Sequence, residues 1–352
     1  RIGLIMAYST IIKPNTNFTP TIYSGTSASH AVSVGFQPDL VWLKPRSVAD
    51  NHRLMNSVSG AGFYLMSNAT NGESASGTRF TSFDTDGFTL GDADEGWNQS
   101  GQTYASWNWL GGGTAVSNTD GTITSSVSAN TTNGFSVVSF TGTGANATVG
   151  HGLGVAPKWI IVKSRGVENW RVYSSYLGAT KAMVLNGNNA EDTDSSYWNN
   201  VEPTSSLFTV GTNAGTNGSS VNMIAYCFAD VKGFSKMGSY TGNGSTDGTF
   251  IYTGFSPSFI MFKNASVTES WTILDLKRAS VPNANPNANV LWPNDNFAEY
   301  DETQGIDFLS NGFKVRESAT GFNGSGNTLI YMAFAENPLV ANTSGGIPTT
   351  AR

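Results

Sequence analysis

Apolar positions along the chain fall into short runs separated by polar turn residues, and no stretch repeats with the 3.6-residue period of an amphipathic helix. The runs are rich in β-branched and aromatic residues, whereas Gly, Asn and Asp cluster between them. This pattern is typical of β-strands joined by turns. It therefore predicts an all-β chain.

One apolar run occurs three times with the same ends, a proline and, six residues later, a lysine. The copies occupy residues 38–44, 157–163 and 257–263. A strand that is apolar on both faces is covered on both sides, as in a two-layer sandwich. We expect each lysine to lay its stem on the sandwich and to place its ammonium group near the rim.

The copies keep their surroundings as well as their own residues. Each follows an aromatic–hydroxyl–glycine turn and precedes a second apolar run, which begins seven or eight residues past the lysine. The last apolar run also keeps its spacing: 65 residues from Lys44 to Trp109 and from Lys163 to Phe228, and 71 from Lys263 to Phe334. A period near one hundred residues indicates duplicated domains.

The repeat predicts three tandem β-sandwich-like modules with an N-terminal arm. The segments are an arm over residues 1–20, module one over 21–113, module two over 114–232, module three over 233–338 and a polar tail over 339–352. The Ser-, Thr- and Asn-rich stretch 114–133 is interpreted as an extended connector or an extra edge strand of module two.

Composition excludes several classes of protein. Aromatic residues make up 12% of the 352 positions, which argues against disorder. The net charge of −6 and the lack of a basic cluster argue against nucleic-acid binding. No apolar run reaches membrane-spanning length, and the single cysteine, Cys227, offers no disulfide. The short apolar start lacks a cleavage site, so we expect synthesis in the cytoplasm.

The residues that usually carry chemistry are scattered. His30, His52 and His151 have no partner at metal-ligand spacing. The acidic stretch from Asp84 to Glu95 lacks the pattern of a calcium loop, so turn formation is favoured over calcium binding. The glycine-rich turns lack a following helix and are interpreted as hairpins. We predict no catalytic residue, no metal, no cofactor and no enzymatic activity.

Four aromatic residues in polar loops are candidates for surface contacts. They are Trp97 in module one, Tyr197 and Trp198 in module two, and Trp292 in module three. An aromatic ring beside asparagine amides can stack on a sugar face. A ring in a long loop can equally fold back onto the sandwich or dock on a neighbouring subunit, and both alternatives stay open.

Several segments resemble a module common in structural proteins of marine tailed phages. The resemblance rests on residues 134–144, 149–154 and 156–163 in module two, on 238–245 and 333–338 in module three, and on 36–44 in module one. It extends over essentially the whole chain. The resemblance implies a virion component of the tail-fibre kind and supplies no catalytic residues.

We therefore expect a non-enzymatic phage structural protein located in the virion, in an exterior appendage or tail fibre that contacts the host surface. A capsid decoration protein that clamps shell subunits is the alternative, and a glycan-degrading tail spike is a further one. The expected partners are other virion proteins and a host surface glycan, without nucleic acid or membrane insertion. We expect a homo-oligomer, with a trimer preferred.

Overall fold

Strands and tight turns account for nearly all of the chain, as the short apolar runs predict. The structure is a computed structural model that describes residues 9–91, 94–281 and 284–339. The all-β class with sandwich-like modules is confirmed. The first eight residues of the predicted arm and residues 340–352 of the predicted tail lie outside the described residues.

Module one follows a 3-10 turn at Pro14–Thr16, and its described residues, which leave out 92 and 93, contain nine strands. These are β1 (Phe18–Ser24), β2 (His30–Ser33), β3 (Leu40–Pro45), β4 (Arg53–Asn56), β5 (Phe63–Tyr64), β6 (Ser74–Ala75), β7 (Phe80–Asp84), β8 (Gly87–Leu90) and β9 (Thr103–Trp109). Strand β1 begins at Phe18, so the last three residues that we assigned to the arm lie in the first sheet of module one.

Module two contains ten strands and two helices of four residues. The strands are β10 (Val116–Asn118), β11 (Ser125–Asn130), β12 (Phe135–Thr141), β13 (Ala147–Gly150), β14 (Trp159–Ser164), β15 (Arg171–Ser174), β16 (Lys181–Val184), β17 (Asp192–Thr193), β18 (Leu207–Val210) and β19 (Asn222–Phe228). The helices are α1 (Ser195–Trp198) and α2 (Ala214–Asn217). Strands β10 and β11 lie within the stretch 114–133 and occupy the edge of the sheet, as the edge-strand interpretation predicts.

The residues of module three that the structure describes, all but 282 and 283, contain eight strands and one helix of four residues, α3 (Thr320–Asn323). The strands are β20 (Ser235–Thr241), β21 (Phe250–Tyr252), β22 (Phe255–Asn264), β23 (Thr272–Asp275), β24 (Asn287–Val290), β25 (Tyr300–Leu309), β26 (Gly312–Val315) and β27 (Thr328–Pro338). None of the helices in the described parts of the chain is long and apolar enough to cross a membrane.

The same antiparallel sheet occurs once in each module. Its strand order is β1-β9-β3-β4 in module one, β12-β19-β14-β15 in module two and β20-β27-β22-β23 in module three. The run from proline to lysine is always the third strand of this order. We call these three sheets the inner sheets. A second sheet packs on each of them: β2-β8-β7, β13-β18 and β21-β26-β25-β24. The duplication predicted from the sequence is therefore present in the topology.

In each inner sheet the strand that contains the proline-to-lysine run is buried on both faces, but by different parts of the protein. In β3, Val41 and Leu43 point into the core of module one, whereas Leu40 and Trp42 point into a core shared by all three modules. Strands β14 and β22 divide their side chains in the same way. The modules are therefore not independent sandwiches. Their inner sheets pack together around one central core.

Three aromatic rings mark the centre of this arrangement. Trp109, Phe228 and Phe334 are the equivalent last aromatic residues of β9, β19 and β27. Their ring centroids are 5.7 to 6.0 Å apart in all three pairs. An equilateral triangle of equivalent residues indicates a pseudo-threefold axis within one chain.

The junctions between modules close into a ring around this axis. One equivalent backbone hydrogen bond of 2.8 Å spans each junction, from the N–H group of a glutamate to a carbonyl oxygen: Glu73 to Arg165, Glu191 to Ala265 and Glu299 to Arg46. Module one thus contacts two, two contacts three, and three contacts one. Side-chain pairs join the first and third junctions, Arg165 with Glu73 and Arg46 with Glu299. At the second junction the arginine is replaced by Ala265, and Glu191 pairs with Lys181.

Candidate functional site

Three of the four predicted surface aromatics are core residues. Trp97, Tyr197 and Trp198 are at most 3% exposed. The Arg53 guanidinium lies 5.0 Å from the centre of the Trp97 ring, and the Trp198 indole donates a hydrogen bond to the carbonyl oxygen of Lys181. A buried ring has no free face for a sugar or a neighbouring subunit. Their assignment as glycan or interface contacts is therefore corrected, and the fold-back alternative describes them.

Trp292 is placed differently, because it is half-buried and lies beside two exposed rings. The centroids of Phe297 and Tyr300 are each 6.1 Å from that of Trp292. Phe297 is 58% exposed and Tyr300 is 54% exposed. We call these three residues the Trp292 surface. It brings together one predicted residue and two that the sequence reasoning missed, although all three stand within one short polar segment.

The Trp292 surface is anchored at the junction of modules three and one. Glu299, next to Tyr300, pairs with Arg46 of module one and with the fully buried Arg278 of module three. Burial favours a higher pKa for Glu299, but the hydrogen bond from Arg46 and the charge of Arg278 hold that pKa below its usual value. The loop is thus tied to two modules. Exposed rings on a fixed loop can stack on a planar apolar face, such as that of a sugar ring, with little loss of entropy.

The three repeated lysines are buried, which corrects the expectation that their ammonium groups reach the rim. Lys44, Lys163 and Lys263 have no exposed surface. Each ammonium donates to the carbonyl oxygen of the next residue, at 2.7, 2.8 and 2.5 Å respectively. Burial lowers the pKa of Lys44 to about 7 and those of Lys163 and Lys263 to about 8. Lys163 and Lys263 also donate to a carbonyl oxygen in the loop that follows the strand, on Gly166 and Val267, and so hold the strand end to that loop.

His52 and His151 are buried and have structural roles. The indole N–H of Trp42 donates to Nδ1 of the buried His52 at 2.9 Å. Nε2 of His151 lies 3.1 Å from the carbonyl oxygen of Thr204, and its Nδ1 accepts from the N–H of Leu153. Burial lowers the pKa of both rings. In His151, a neutral imidazole with Nε2 donating and Nδ1 accepting satisfies both contacts, whereas in His52 only the contact at Nδ1 is a hydrogen bond.

The position of His52 in the repeat explains its burial. The equivalent residues are Trp170 and Trp271, whose indoles donate to backbone carbonyls of the neighbouring module, on Met66 and Val184, at 2.8 Å. His52 faces the backbone of Trp292 in the same way, although its Nε2 forms no well-aligned hydrogen bond. The residue is therefore part of a module junction.

The acidic stretch holds turns in the part that the structure describes. Asp84 accepts hydrogen bonds from the hydroxyls of Ser82 and Thr89. Asp94 pairs with Arg79. Asp92 lies outside the described residues. Among the described residues, no group of three His, Cys, Asp or Glu side chains is placed to hold a metal ion.

A buried asparagine organises the glycine-rich turn of each module, and sequence reasoning missed all three. Asn98, Asn217 and Asn323 each donate to a turn carbonyl at 2.6 Å, on Ala28, Ala145 and Ser245 respectively. The oxygen of each amide accepts a backbone N–H from the same turn. These turns therefore enclose a side chain of their own module, which agrees with a structural role.

The fold defines a class of protein: an all-β chain in which three sandwich modules form a closed pseudo-threefold ring around a shared core. Residues 13–338 match the family model described as a domain of unknown function (DUF7483). The chain belongs to the DUF7483 family. The match spans all three modules as one unit, in keeping with the core that they share. No curated protein matches the chain.

Proposed function

We propose that the chain is a non-enzymatic structural protein of a phage virion, located in an exterior appendage or tail fibre where it contacts the host surface. The observation that carries this proposal is the Trp292 surface, because it displays aromatic rings on a loop fixed by two modules. The closed ring of modules supports it further, since three modules packed around one core form a rigid unit, which suits a mechanical role. The phage origin rests on the resemblance of segments such as 134–144.

Labelling of the particle tests the location. Antibodies against the purified chain, bound to gold and viewed on phage particles by electron microscopy, are expected to mark an exterior appendage. Label confined to the shell would instead support a capsid decoration protein that clamps shell subunits. Particles that carry no label would contradict the virion role altogether.

Binding measurements test the contact. We expect a host surface glycan to bind the Trp292 surface, and Tyr300→Ala to weaken that binding by about tenfold through loss of one stacking ring. Phe63→Ala is the control, because Phe63 is also an exposed aromatic residue but lies in module one. Equal affinities of the two variants would remove the Trp292 surface from the proposal. Release of reducing ends from host polysaccharide, abolished by an Asp or Glu substitution, would contradict the non-enzymatic assignment.

A further inference from the structure

The outer edges of the three inner sheets occupy equivalent positions but differ in how far their outward backbone groups are hydrogen-bonded. Strands β1, β12 and β20 form these edges in the repeated strand order. Their registers align Pro20 with Val137 and Met237, and Ile22 with Ser139 and Ser239. At these positions the backbone N–H and C=O point away from the neighbouring strand of the inner sheet. An open row of such groups is a template for a further strand.

In module two this edge is closed, and in module one a proline interrupts it at its start. Pro20 has no N–H to offer, and proline is a common means of blunting an edge strand. In module two, strand β11 pairs with β12 from Phe135 to Phe140 and sets Ser126 opposite Ser139. Side chains from this added segment, Ile123 and Val127, fill the gap between the two sheets of the module.

In module three the edge is closed only at its start. The carboxylate of Asp230 accepts the N–H of Met237 at 2.7 Å. Further along β20, no hydrogen bond within the described part of the chain reaches the outward N–H or C=O of Ser239. Ser239 is also exposed. The position that Ser126 satisfies in module two is therefore open in module three.

A groove accompanies the open edge. Its volume is about 440 Å³, and β20 and β21 form its walls. Half-exposed rings of Tyr176, Phe250 and Tyr252 surround it. Its floor contains Tyr331, whose ring packs over Gly238. A Cβ on Gly238 would be only 2.5 Å from the atoms of this ring. This is the gap between two sheets that Ile123 and Val127 fill in module two.

We propose that the β20 edge accepts an added β-strand from another polypeptide. The partner is an extended segment with serine-sized residues and a β-branched residue that enters the groove, as Val127 does from β11. The register of β11 on β12 gives the register of the partner, with a residue opposite Ser239 that exchanges two backbone hydrogen bonds with it. Backbone pairing would supply affinity, and the aromatic groove would select the side chain. This proposal is independent of the role in the virion proposed above.

A peptide made from the chain's own equivalent strand is a suitable probe. A capped peptide of residues 121–133, which contains β11, is titrated into the full chain by calorimetry, with a scrambled peptide for comparison. We expect the native sequence to bind and the scrambled one to bind at least about tenfold more weakly. Failure of the native peptide to bind would overturn the proposal.

A pair of substitutions at one position separates backbone pairing from side-chain contact. Ser239→Pro removes the outward N–H but no bond to β27, and the preceding Gly238 accommodates a proline. Ser239→Ala keeps the N–H. We expect Ser239→Pro to weaken peptide binding by about tenfold or more, and Ser239→Ala to leave it unchanged. Equal binding by wild type and Ser239→Pro would overturn the proposal.

Further measurements cover the remaining outcomes. If Ser239→Pro fails to fold, amide hydrogen exchange of the wild-type chain decides, because bound peptide should slow exchange at Ser239, and unchanged exchange would refute the pairing. If an oligosaccharide fills the groove, with affinity lost in Tyr252→Ala but kept in Ser239→Pro, the groove is a glycan site and the proposal is wrong. Self-association that Ser239→Pro abolishes would assign the edge to a second copy of the chain and likewise overturn it.

Discussion

Substitution of Phe228 by alanine tests whether the three modules share one core. Phe228 stacks on Phe135 at 4.9 Å and contacts Trp109 and Phe334 at 6.0 Å, so its ring reaches all three modules. Removal of a buried phenylalanine ring costs about 3–5 kcal/mol. At about 2.1 cal/mol/K of unfolding entropy per residue, the 352 residues give roughly 0.7 kcal/mol/K, so Tm should fall by about 4–7 °C.

The decisive observation is how many transitions occur, and which of them move. Because the central core belongs to all modules, we expect one cooperative transition in scanning calorimetry, with a calorimetric enthalpy equal to the van't Hoff enthalpy. Phe228→Ala should lower the midpoint of that single transition. The exposed Phe250 provides the control, since its replacement by alanine should change stability by less than about 0.5 kcal/mol. Separate transitions, of which Phe228→Ala shifts only one, would refute the shared core.

Three further outcomes are expected. The free energy of unfolding should rise with pH between about 8, the pKa of Lys163 in the folded state, and 10.5, its ordinary pKa, because the unfolded state binds more protons in this window. Each such lysine adds at most about 1.4 kcal/mol per pH unit. Lys163→Met should therefore reduce the slope of unfolding free energy against pH, measured by urea titration. Glu299→Gln should cost about 3 kcal/mol because it leaves the buried Arg278 short of a partner, whereas Asp247→Asn on the exposed pair should leave the unfolding midpoint unchanged. Light scattering of the purified chain should show a homo-oligomer, with a trimer preferred, and a monodisperse monomer would contradict this.

Most of the local structure could be predicted from the sequence, because local structure depends on neighbouring residues. The run 157–163 predicts a strand covered on both faces, and β14 is such a strand. The pattern does not show which part of the protein covers each face of the strand. Ile160 and Val162 face the core of their own module, whereas Trp159 and Ile161 face the other modules. Both sets are equally apolar, so nothing in the pattern separates a module core from a shared one.

Loop aromatics were harder to place for a related reason. The sequence shows that Trp198 and Trp292 stand in polar loops, but the direction of a ring depends on contacts far along the chain. Trp198 turns inward to donate to Lys181 and to pack on Tyr173. Trp292 is half-buried because it packs against the core of module three and otherwise lies beside the exposed Phe297 and Tyr300. The spacing of Phe297 and Tyr300 after Trp292 was the one available signal of a surface cluster.

The joining of three modules in one chain explains why their edges can differ. In a symmetric trimer of identical subunits, every outer edge must carry the same residues. Here the equivalent edges carry Pro20, a paired strand β11 and an open position at Ser239. One substitution or insertion can therefore close one edge without closing the others. Covalent linkage keeps the closed ring and its shared core while each module acquires a separate surface. The Trp292 surface and the β20 edge both lie on module three, so we infer that this module carries the external contacts while the other two complete the ring.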